Sequence, residues 1–198
     1  MSTIFIKLII VGDSGTGKTS IITRHIKNEF SDKMATCVPH YYQKIMQING
    51  NRYQINIWDL PGQDMNTVIS GQFARDTEGI IYCCDATDSR TRDNLKKWEE
   101  ALKSKEDIEK MKKILIENKC DLLGDEMNYN DNINELRLFS KELGCCNFFR
   151  ASAKVGHNID EAVNYLIKDI IKDLKEEAIK ENNKKLNKTK SNSKAGCC

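Results

Sequence analysis

A glycine-rich segment with the sequence GDSGTGKT occupies residues 12–19, directly after an apolar run at residues 4–11. The apolar run predicts a buried strand, and the residues after the segment predict a helix. A strand and a helix joined by the pattern G-x-x-x-x-G-K-T are typical of a phosphate-binding P-loop. Glycines let backbone N–H groups converge on phosphate oxygens, and the dipole of the following helix favours an anion at its N-terminus. The segment therefore predicts that the chain binds a nucleoside phosphate.

Two side chains of this segment carry chemistry of their own. The Lys18 ammonium can reach the β- and γ-phosphates of a nucleotide, and the Thr19 hydroxyl can ligate Mg²⁺. A chance match in an ordinary strand–helix turn is the alternative, and the strand before and the helix after the segment argue against it.

Length and charge indicate one domain with an appendage. The chain has 198 residues, of which 39% are hydrophobic, and this suits one α/β domain of ordinary size. Residues 178–198 hold six lysines and one glutamate, so this segment carries +5 and residues 1–177 carry −3. We therefore expect a folded domain at 1–177 that does not bind nucleic acid, followed by a flexible, disordered, lysine-rich tail at 178–198.

Cysteine spacing and hydropathy point to a protein of the cytosol. No run of 18 apolar residues is present, and the first residues lack the basic start and cleavage site of a signal peptide. None of the eight cysteines forms a C-x-x-C pattern, and their spacing suits neither a zinc site nor a secreted disulfide framework. We therefore predict a reducing compartment.

Strand and helix patterns alternate along the rest of the chain. Strands are predicted at residues 40–48, 53–58, 79–85, 113–117 and 147–150, with Asn49-Gly50 as a hairpin turn between the first two. Helices are predicted at 91–105, at 133–143 with a stop at Gly144, from Asn158 onward, and near 67–75. This order predicts a mainly parallel sheet with helices on both faces and a ligand site at the carboxyl ends of the strands.

Polar motifs at two of those strand ends indicate which nucleotide is bound. The sequence NKCD occupies residues 118–121, and SAK occupies residues 152–154 after the next strand. The Asp121 carboxylate can accept two hydrogen bonds from the N1–H and N2 amino group of guanine, a pair of donors that adenine lacks. These motifs therefore predict a guanine nucleotide.

The motifs together resemble those of the Ras-superfamily small GTPases, and most of all the Rab family. The resemblance rests on GDSGTGKT at 12–19, WDLPGQ at 58–63, NKCD, SAK and a terminal pair of cysteines. It covers residues 4 to about 175 and the last two residues. It implies a single P-loop G domain of the α/β class, built on a mainly parallel six-stranded sheet with helices on both faces.

The resemblance also implies a role for each matching residue. The phosphates of GTP or GDP are held by Ser14, Gly15, Thr16, Gly17, Lys18, Thr19 and Ser20. Mg²⁺ is held by Thr19 directly, by Asp59 through water, and by Thr36. The base is held by Phe30, Asn118, Lys119, Asp121, Ser152, Ala153 and Lys154, with the Ala153 N–H directed at guanine O6. The Gly62 N–H contacts the γ-phosphate, and Gln63 is the catalytic residue that orients the attacking water.

Two loops depart from the Rab pattern. The family places a threonine 18 residues after the P-loop threonine, where this chain has Cys37, so Thr36 fits only if one residue is missing upstream. Thr36 is therefore either the magnesium and γ-phosphate contact or an ordinary loop threonine, and Phe30 is either a base contact or a loop anchor. Pro61 replaces the usual small residue before Gly62.

The aromatic triad through which Rab proteins contact their partners corresponds to Tyr41, Trp58 and Phe73. Because the residues beside Thr36 also differ from the Rab pattern, the preference of this chain for particular effectors cannot be carried over from the family.

The terminal Cys197-Cys198 resembles a double geranylgeranylation site, and the alternative is a pair of unmodified cysteines. Two lipid chains would anchor the protein stably, and the lysines would add attraction to anionic lipid. The resemblance thus implies a slow, membrane-anchored, monomeric GTPase switch in vesicle traffic, cycling between the cytosol and the cytoplasmic face of an intracellular membrane. Its implied partners are an exchange factor, a GTPase-activating protein, effectors and an escort or GDI-type prenyl-binding protein.

Two other functions fit the motifs less well. The first is a nucleotide-binding membrane scaffold with impaired hydrolysis, which the sequence around Thr36 and Pro61 favours and Gln63 opposes. The second is a P-loop kinase, which needs an arginine-rich lid that the sequence lacks.

Overall fold

A computed structural model describes residues 3–30, 36–63, 73–104, 108–124 and 133–192, with side chains described through residue 180. The strands are β1 (Thr3–Val11), β2 (His40–Ile48), β3 (Asn51–Asp59), β4 (Gly79–Asp85), β5 (Lys112–Asn118) and β6 (Asn147–Arg150). The helices are α1 (Lys18–Lys27), α2 (Ser89–Asp93), α3 (Leu95–Lys103), α4 (Ile133–Glu142) and α5 (Ile159–Asn192). Short 3₁₀ turns lie at Ile108–Lys110 and Cys120–Leu122.

The strands form one six-stranded sheet in the order β2-β3-β1-β4-β5-β6. All neighbouring pairs are parallel except β2 with β3. Between these two strands, Asn49 and Gly50 have φ values of 50° and 78°, and such positive values are what a two-residue hairpin turn requires. The predicted mainly parallel sheet and the predicted hairpin are both confirmed.

A hydrophobic core lies on each face of the sheet, because successive side chains of a strand point to opposite faces. In β1, Ile10 packs into the core that α1 and α5 cover, whereas Ile9 packs into the core that α3 and α4 cover. The apolar residues predicted to face inward from α3, including Trp98, are buried. The prediction of helices on both faces is confirmed.

The predicted helix at residues 91–105 is divided into α2 and α3. It begins earlier than predicted because Asp88 precedes it as an N-cap and accepts a hydrogen bond from the Arg90 N–H. Asn94 separates the two helices, although its backbone keeps helical angles of φ −65° and ψ −18°. The helix predicted near 67–75 lies mostly outside the described residues, which resume at Phe73.

The last helix continues through Asn192, so the prediction of a disordered tail from residue 178 is wrong for the backbone of residues 178–192. Residues 157–195 contain no glycine or proline, and lysine, glutamate and leucine favour helix even where no apolar face is left to bury. The boundary of the folded domain at residue 177 stays a prediction. Across the part of the chain that the structure describes, no helix combines the length and apolar composition that crossing a membrane requires.

Candidate nucleotide-binding site

A cavity of about 320 Å³ opens at the carboxyl ends of β1, β3, β5 and β6. Its lining residues are Ser14, Gly15, Gly17, Lys18, Thr19, Ser20, Phe30, Thr36, Gly62, Asn118, Lys119, Asp121, Leu122, Ala153 and Lys154. All but Leu122 were candidates from the sequence. Of the other candidates, Thr16, Asp59, Gln63 and Ser152 do not line the cavity. Six separate segments of the chain therefore meet where parallel strands end, as expected for this kind of sheet.

Lys18 lies buried at the floor of the cavity. Its Nζ donates hydrogen bonds to the carbonyl oxygens of Gly12 and Asp13, at 2.8 and 2.9 Å. Burial lowers the pKa of Lys18, while the nearby Asp59 carboxylate acts in the opposite direction. A buried ammonium group that bonds to neutral carbonyls gains from an incoming phosphate, because a charged acceptor makes a stronger hydrogen bond.

Asn118 joins the P-loop to the SAK segment. Its Nδ2 donates to the carbonyl of Thr16 at 2.9 Å, and its Oδ1 accepts from the Ala153 N–H at 3.0 Å. Gly17 makes this approach possible, since a Cβ there would lie 2.2 Å from Asn118 Nδ2. The Ala153 N–H, which the resemblance directs at guanine O6, is thus bonded to Asn118 in this structure. Thr16 contributes backbone and is itself fully buried.

Asp121 is oriented by a residue that does not reach the cavity. The Ser152 hydroxyl is fully buried and donates to Asp121 Oδ1 at 2.5 Å. On the other side, Lys119 Nζ bonds Asp85 Oδ2 at 2.5 Å, which holds the Lys119 side chain along the wall of the cavity. A carboxylate fixed in this way presents its remaining acceptor positions to a base edge in one orientation.

Phe30 is half-buried at the rim of the cavity and also packs against the core shared by α1 and α5. The two interpretations of this residue are therefore compatible, because one aromatic ring both anchors the loop and faces the cavity.

Three oxygen-bearing side chains cluster at the other end of the cavity. The Thr19 hydroxyl lies 2.7 Å from the Thr36 hydroxyl and donates to Asp59 Oδ2 at 2.5 Å. Asp59 Oδ1 is buried and has no hydrogen-bond partner among the described residues. Burial raises the pKa of Asp59, against the effects of the Thr19 hydrogen bond and the Lys18 charge. Hydroxyl and carboxylate oxygens suit a hard cation, so these residues fit Mg²⁺.

Gly62 packs directly on the P-loop. Its carbonyl accepts from the Ser14 N–H at 3.2 Å, and a Cβ at Gly62 would lie 2.3 Å from that nitrogen. Gln63 is exposed and is not among the described residues that line the cavity, while Pro61 is buried. The residues after Gln63, up to 72, lie outside the described part of the chain.

The predicted aromatic triad is present as a row of rings beside these loops. The ring centroids of Tyr41 and Trp58 are 5.3 Å apart, and those of Trp58 and Phe73 are 5.2 Å apart. Tyr41 stays 46% exposed, so the row reaches the surface.

Sequence reasoning missed the group that holds the P-loop against α3. The Asp13 carboxylate accepts from Trp98 Nε1 at 3.0 Å and from Asn94 Nδ2 at 2.7 Å. The only sequence signal was an indole and an amide four positions apart in one predicted helix, and such residues have many other uses. Both oxygens of this carboxylate are thereby occupied, which fixes the loop without placing Asp13 in the cavity.

Comparison with known proteins agrees with this geometry. A sequence model of the Ras family matches residues 7–172. The chain is 31% identical to the Ras-related protein Rab-13 of Mesocricetus auratus, over 83% of this chain and 79% of that protein. It is 32% identical to the Ras-related protein RabG2 of Dictyostelium discoideum, over 83% of this chain and 81% of that protein. It is also 32% identical to the GTP-binding protein ypt2 of Schizosaccharomyces pombe, over 83% and 80%. The chain therefore belongs to the Ras family, as a Rab-like small GTPase that binds guanine nucleotide and hydrolyses GTP.

Proposed function

We propose that this GTPase uses Mg²⁺ and acts as a membrane-anchored switch in vesicle traffic, with the residues of the cavity in the roles that follow. The observation that carries the proposal is the contact between the hydroxyls of Thr19 and Thr36, 2.7 Å apart beside Asp59. It brings a residue 17 positions after Thr19 to the phosphate end of the cavity. A loop held at that point can respond to the presence or loss of the γ-phosphate.

The two ends of the cavity bind different parts of the nucleotide. At the base end, Asp121 accepts from the guanine edge, Lys119 and Phe30 flank the ring, and Asn118 holds the segments together. At the phosphate end, Lys18 and the N–H groups of the P-loop hold the phosphate oxygens. The buried position of Lys18 and the hydrogen bond from Ser152 to Asp121 support this division.

Hydrolysis in this proposal depends on positioning and on neutralising charge. Thr19, Thr36 and Asp59 would hold Mg²⁺, which when bound neutralises charge on the phosphate oxygens. Gln63 orients the attacking water, and Lys18 stabilises the charge that develops on the phosphates. No arginine is among the described residues that line the cavity, so the intrinsic rate is slow and an activating protein supplies the missing charge.

The proposed partners follow from such a cycle. Slow release of GDP requires an exchange factor, and slow hydrolysis of GTP requires a GTPase-activating protein. Effectors bind where Tyr41, Trp58 and Phe73 meet the nucleotide-sensitive loops. The exposed edge of Tyr41 supports an effector surface at that place.

Membrane attachment is proposed through Cys197 and Cys198, which lie outside the described residues. Two prenyl chains give stable anchoring where one gives only marginal binding, and the lysines of residues 178–194 add attraction to anionic lipid. An escort or GDI-type protein would cover the lipid in the cytosol, and the active protein would sit on the cytoplasmic face of an intracellular membrane.

Single-turnover hydrolysis of GTP tests the catalytic part of the proposal. Residues 1–192 loaded with GTP and Mg²⁺ are compared with the variants Gln63→Leu, Thr36→Ala, Thr36→Ser and Cys37→Ala. We expect Gln63→Leu and Thr36→Ala to slow hydrolysis by about tenfold or more, because misplacing the water or the magnesium site costs on that order. Thr36→Ser keeps the hydroxyl, and both it and Cys37→Ala should stay within about twofold of the unmodified protein.

Two results would contradict the proposal. If Cys37→Ala were the slow variant, the loop would use residue 37 and not Thr36 at the phosphates. If the unmodified protein held GTP without cleaving it, the scaffold function would replace the switch, and restoring a small residue at Pro61 would be the next step.

A further inference from the structure

Arg24 lies in the last turn of α1 and extends its guanidinium group to the loop that follows β6. Its Nε donates to the carbonyl of Ala153 at 2.8 Å, and its Nη2 donates to the carbonyl of Lys154 at 2.8 Å. Its Nη1 donates to the carbonyl of Asn28 at 2.9 Å and to the Oδ1 of the same residue at 3.2 Å. One side chain therefore binds the end of α1 and two consecutive carbonyls of the SAK loop.

The loop that Arg24 holds is closed on itself. The Ser152 N–H donates to the carbonyl of His157 at 3.0 Å, and the Gly156 N–H donates back to the carbonyl of Ser152 at 2.8 Å. The Val155 N–H donates to the Ser152 hydroxyl at 3.2 Å. Because these hydrogen bonds connect residues 152–157 to one another, a displacement of the loop carbonyls displaces the whole loop.

The same loop forms one wall of the cavity, because Ala153 and Lys154 line it. Their carbonyl oxygens are occupied by Arg24 on α1. The first residues of α1, Lys18 and Thr19, stand at the phosphate end of the cavity. One ten-residue helix therefore carries the phosphate contacts at its start and the clamp on the base loop at its end.

We propose that Arg24 is a positioning residue that sets how long a guanine nucleotide stays bound. It holds the base loop closed against α1, and loosening it opens the base end of the cavity while the phosphate end keeps its geometry. The proposal rests on the proposed assignment of this cavity to the nucleotide. The planar guanidinium group suits the task because it presents N–H groups to two adjacent acceptors at once, which a lysine ammonium group does not do in a fixed geometry.

A purely local role for Arg24 makes a different prediction. A basic side chain in the last turn stabilises any helix through the dipole and the terminal carbonyls. In that case its loss would lower the stability of the protein, and the rate of nucleotide release would follow stability and not the base loop.

The test measures release of methylanthraniloyl-GDP, displaced by excess GDP, from the unmodified full chain and from Arg24→Lys, Arg24→Gln and Lys27→Gln. We expect both Arg24 variants to release the nucleotide about tenfold faster or more, because neither lysine nor glutamine presents the forked N–H groups that bond both loop carbonyls at once. Lys27→Gln removes a positive charge from the same turn at an exposed position and should stay within about twofold.

Two further readouts separate the base end from a general loosening of the site. Single-turnover hydrolysis of bound GTP should stay within about twofold in the Arg24 variants, because Gln63, Thr36 and Asp59 are at the other end. Chelating Mg²⁺ with EDTA should accelerate release by the same factor with and without Arg24, since perturbations of independent sites add as free energies.

Each other outcome overturns the inference. Unchanged release in both variants, or Arg24→Lys behaving like the unmodified protein, would show that the fork geometry is not used. A parallel loss of hydrolysis, or loss of the folded circular dichroism spectrum in both variants, would show that Arg24 acts on the fold as a whole. Failure of the unmodified protein to bind GDP at all would instead refute the proposed assignment of the cavity.

Discussion

Breaking the buried ion pair between Glu117 and Arg150 should cost this protein a large part of its stability. The two residues face each other in the parallel register of β5 and β6, and Arg150 Nε donates to Glu117 Oε2 at 2.6 Å. Their side chains are only 7% and 3% exposed. Glu117 directly precedes Asn118, and Arg150 lies two positions before Ser152, so the pair stands immediately behind both base-binding motifs.

The size of the effect follows from burial. Removing one member of a buried pair leaves the other charge desolvated, at a cost of about 3–5 kcal/mol. In a chain of this length that corresponds to a fall in Tm of roughly 6–20 °C. We therefore expect Glu117→Leu and Arg150→Leu each to lower the free energy of unfolding by that amount. The double variant should recover most of it, because two leucines leave no buried charge in place of the pair.

Urea unfolding followed by circular dichroism, at one fixed concentration of GDP and Mg²⁺, measures these differences. Lys96→Met is the matched control, since Lys96 and Glu142 form an ion pair at 2.9 Å whose side chains are more than half exposed. Loss of this exposed ion pair should leave the urea midpoint of unfolding almost unchanged, because water already solvates both charges. Single variants that cost less than about 1 kcal/mol, or a double variant no more stable than the worse single one, would refute the reasoning from desolvation.

Two further changes test other parts of the structure. Gly17→Ala should weaken GDP binding strongly in equilibrium titration, because φ is +92° there and the new Cβ would lie 2.2 Å from Asn118 Nδ2. In contrast, Gly124→Ala meets no atom of the described residues within 4 Å and should bind normally. Burial lowers the pKa of His25 below its ordinary value of 6.5, so acidification protonates the unfolded state first and stability is lost as the pH falls through that value. Between about pH 7.5 and about pH 5.5, urea unfolding should therefore show a smaller loss of stability for His25→Gln than for the unmodified protein. An unchanged pH profile in His25→Gln would rule the histidine out.

Local patterns were sufficient for most of the fold. The strand predicted at 40–48 has those bounds in the structure, and Asn49-Gly50 makes the predicted hairpin because both residues accept positive φ values. Gly144 ends the region of α4 with φ at +67°, as predicted for a helix stop. Such features depend on the preferences of a few adjacent residues, which the sequence displays directly.

The predicted end of the fold was less accurate for a physical reason. Fading of the apolar stripe after residue 177 shows where α5 stops burying side chains, yet backbone hydrogen bonds can continue without burial. Lysine, alanine and leucine have good intrinsic helix propensity and no glycine or proline interrupts the segment, so the backbone stays helical to Asn192. Amphipathic pattern therefore located the packed part of the helix and not its end.

Residue chemistry was enough to recognise the kind of ligand, because Lys18, Thr19 and Asp121 can each be matched to a group on a guanine nucleotide without knowing their neighbours. It could not decide whether Thr36 is the magnesium and γ-phosphate contact or an ordinary loop threonine, since one residue of loop length decides what reaches Thr19. In the folded chain the Thr36 hydroxyl lies 2.7 Å from the Thr19 hydroxyl, and its role at the phosphates stays a prediction.

The residues that hold the site in place could be identified only in the folded chain. Asp13 is held by Trp98, 85 positions away, and the SAK loop is held by Arg24, 129 positions away. A side chain meets partners at such separations only after strand register and helix packing have brought the elements together. Short motifs in the sequence therefore determine that the chain binds a guanine nucleotide. The groups that hold those motifs in place depend on long-range contacts that no local pattern displays.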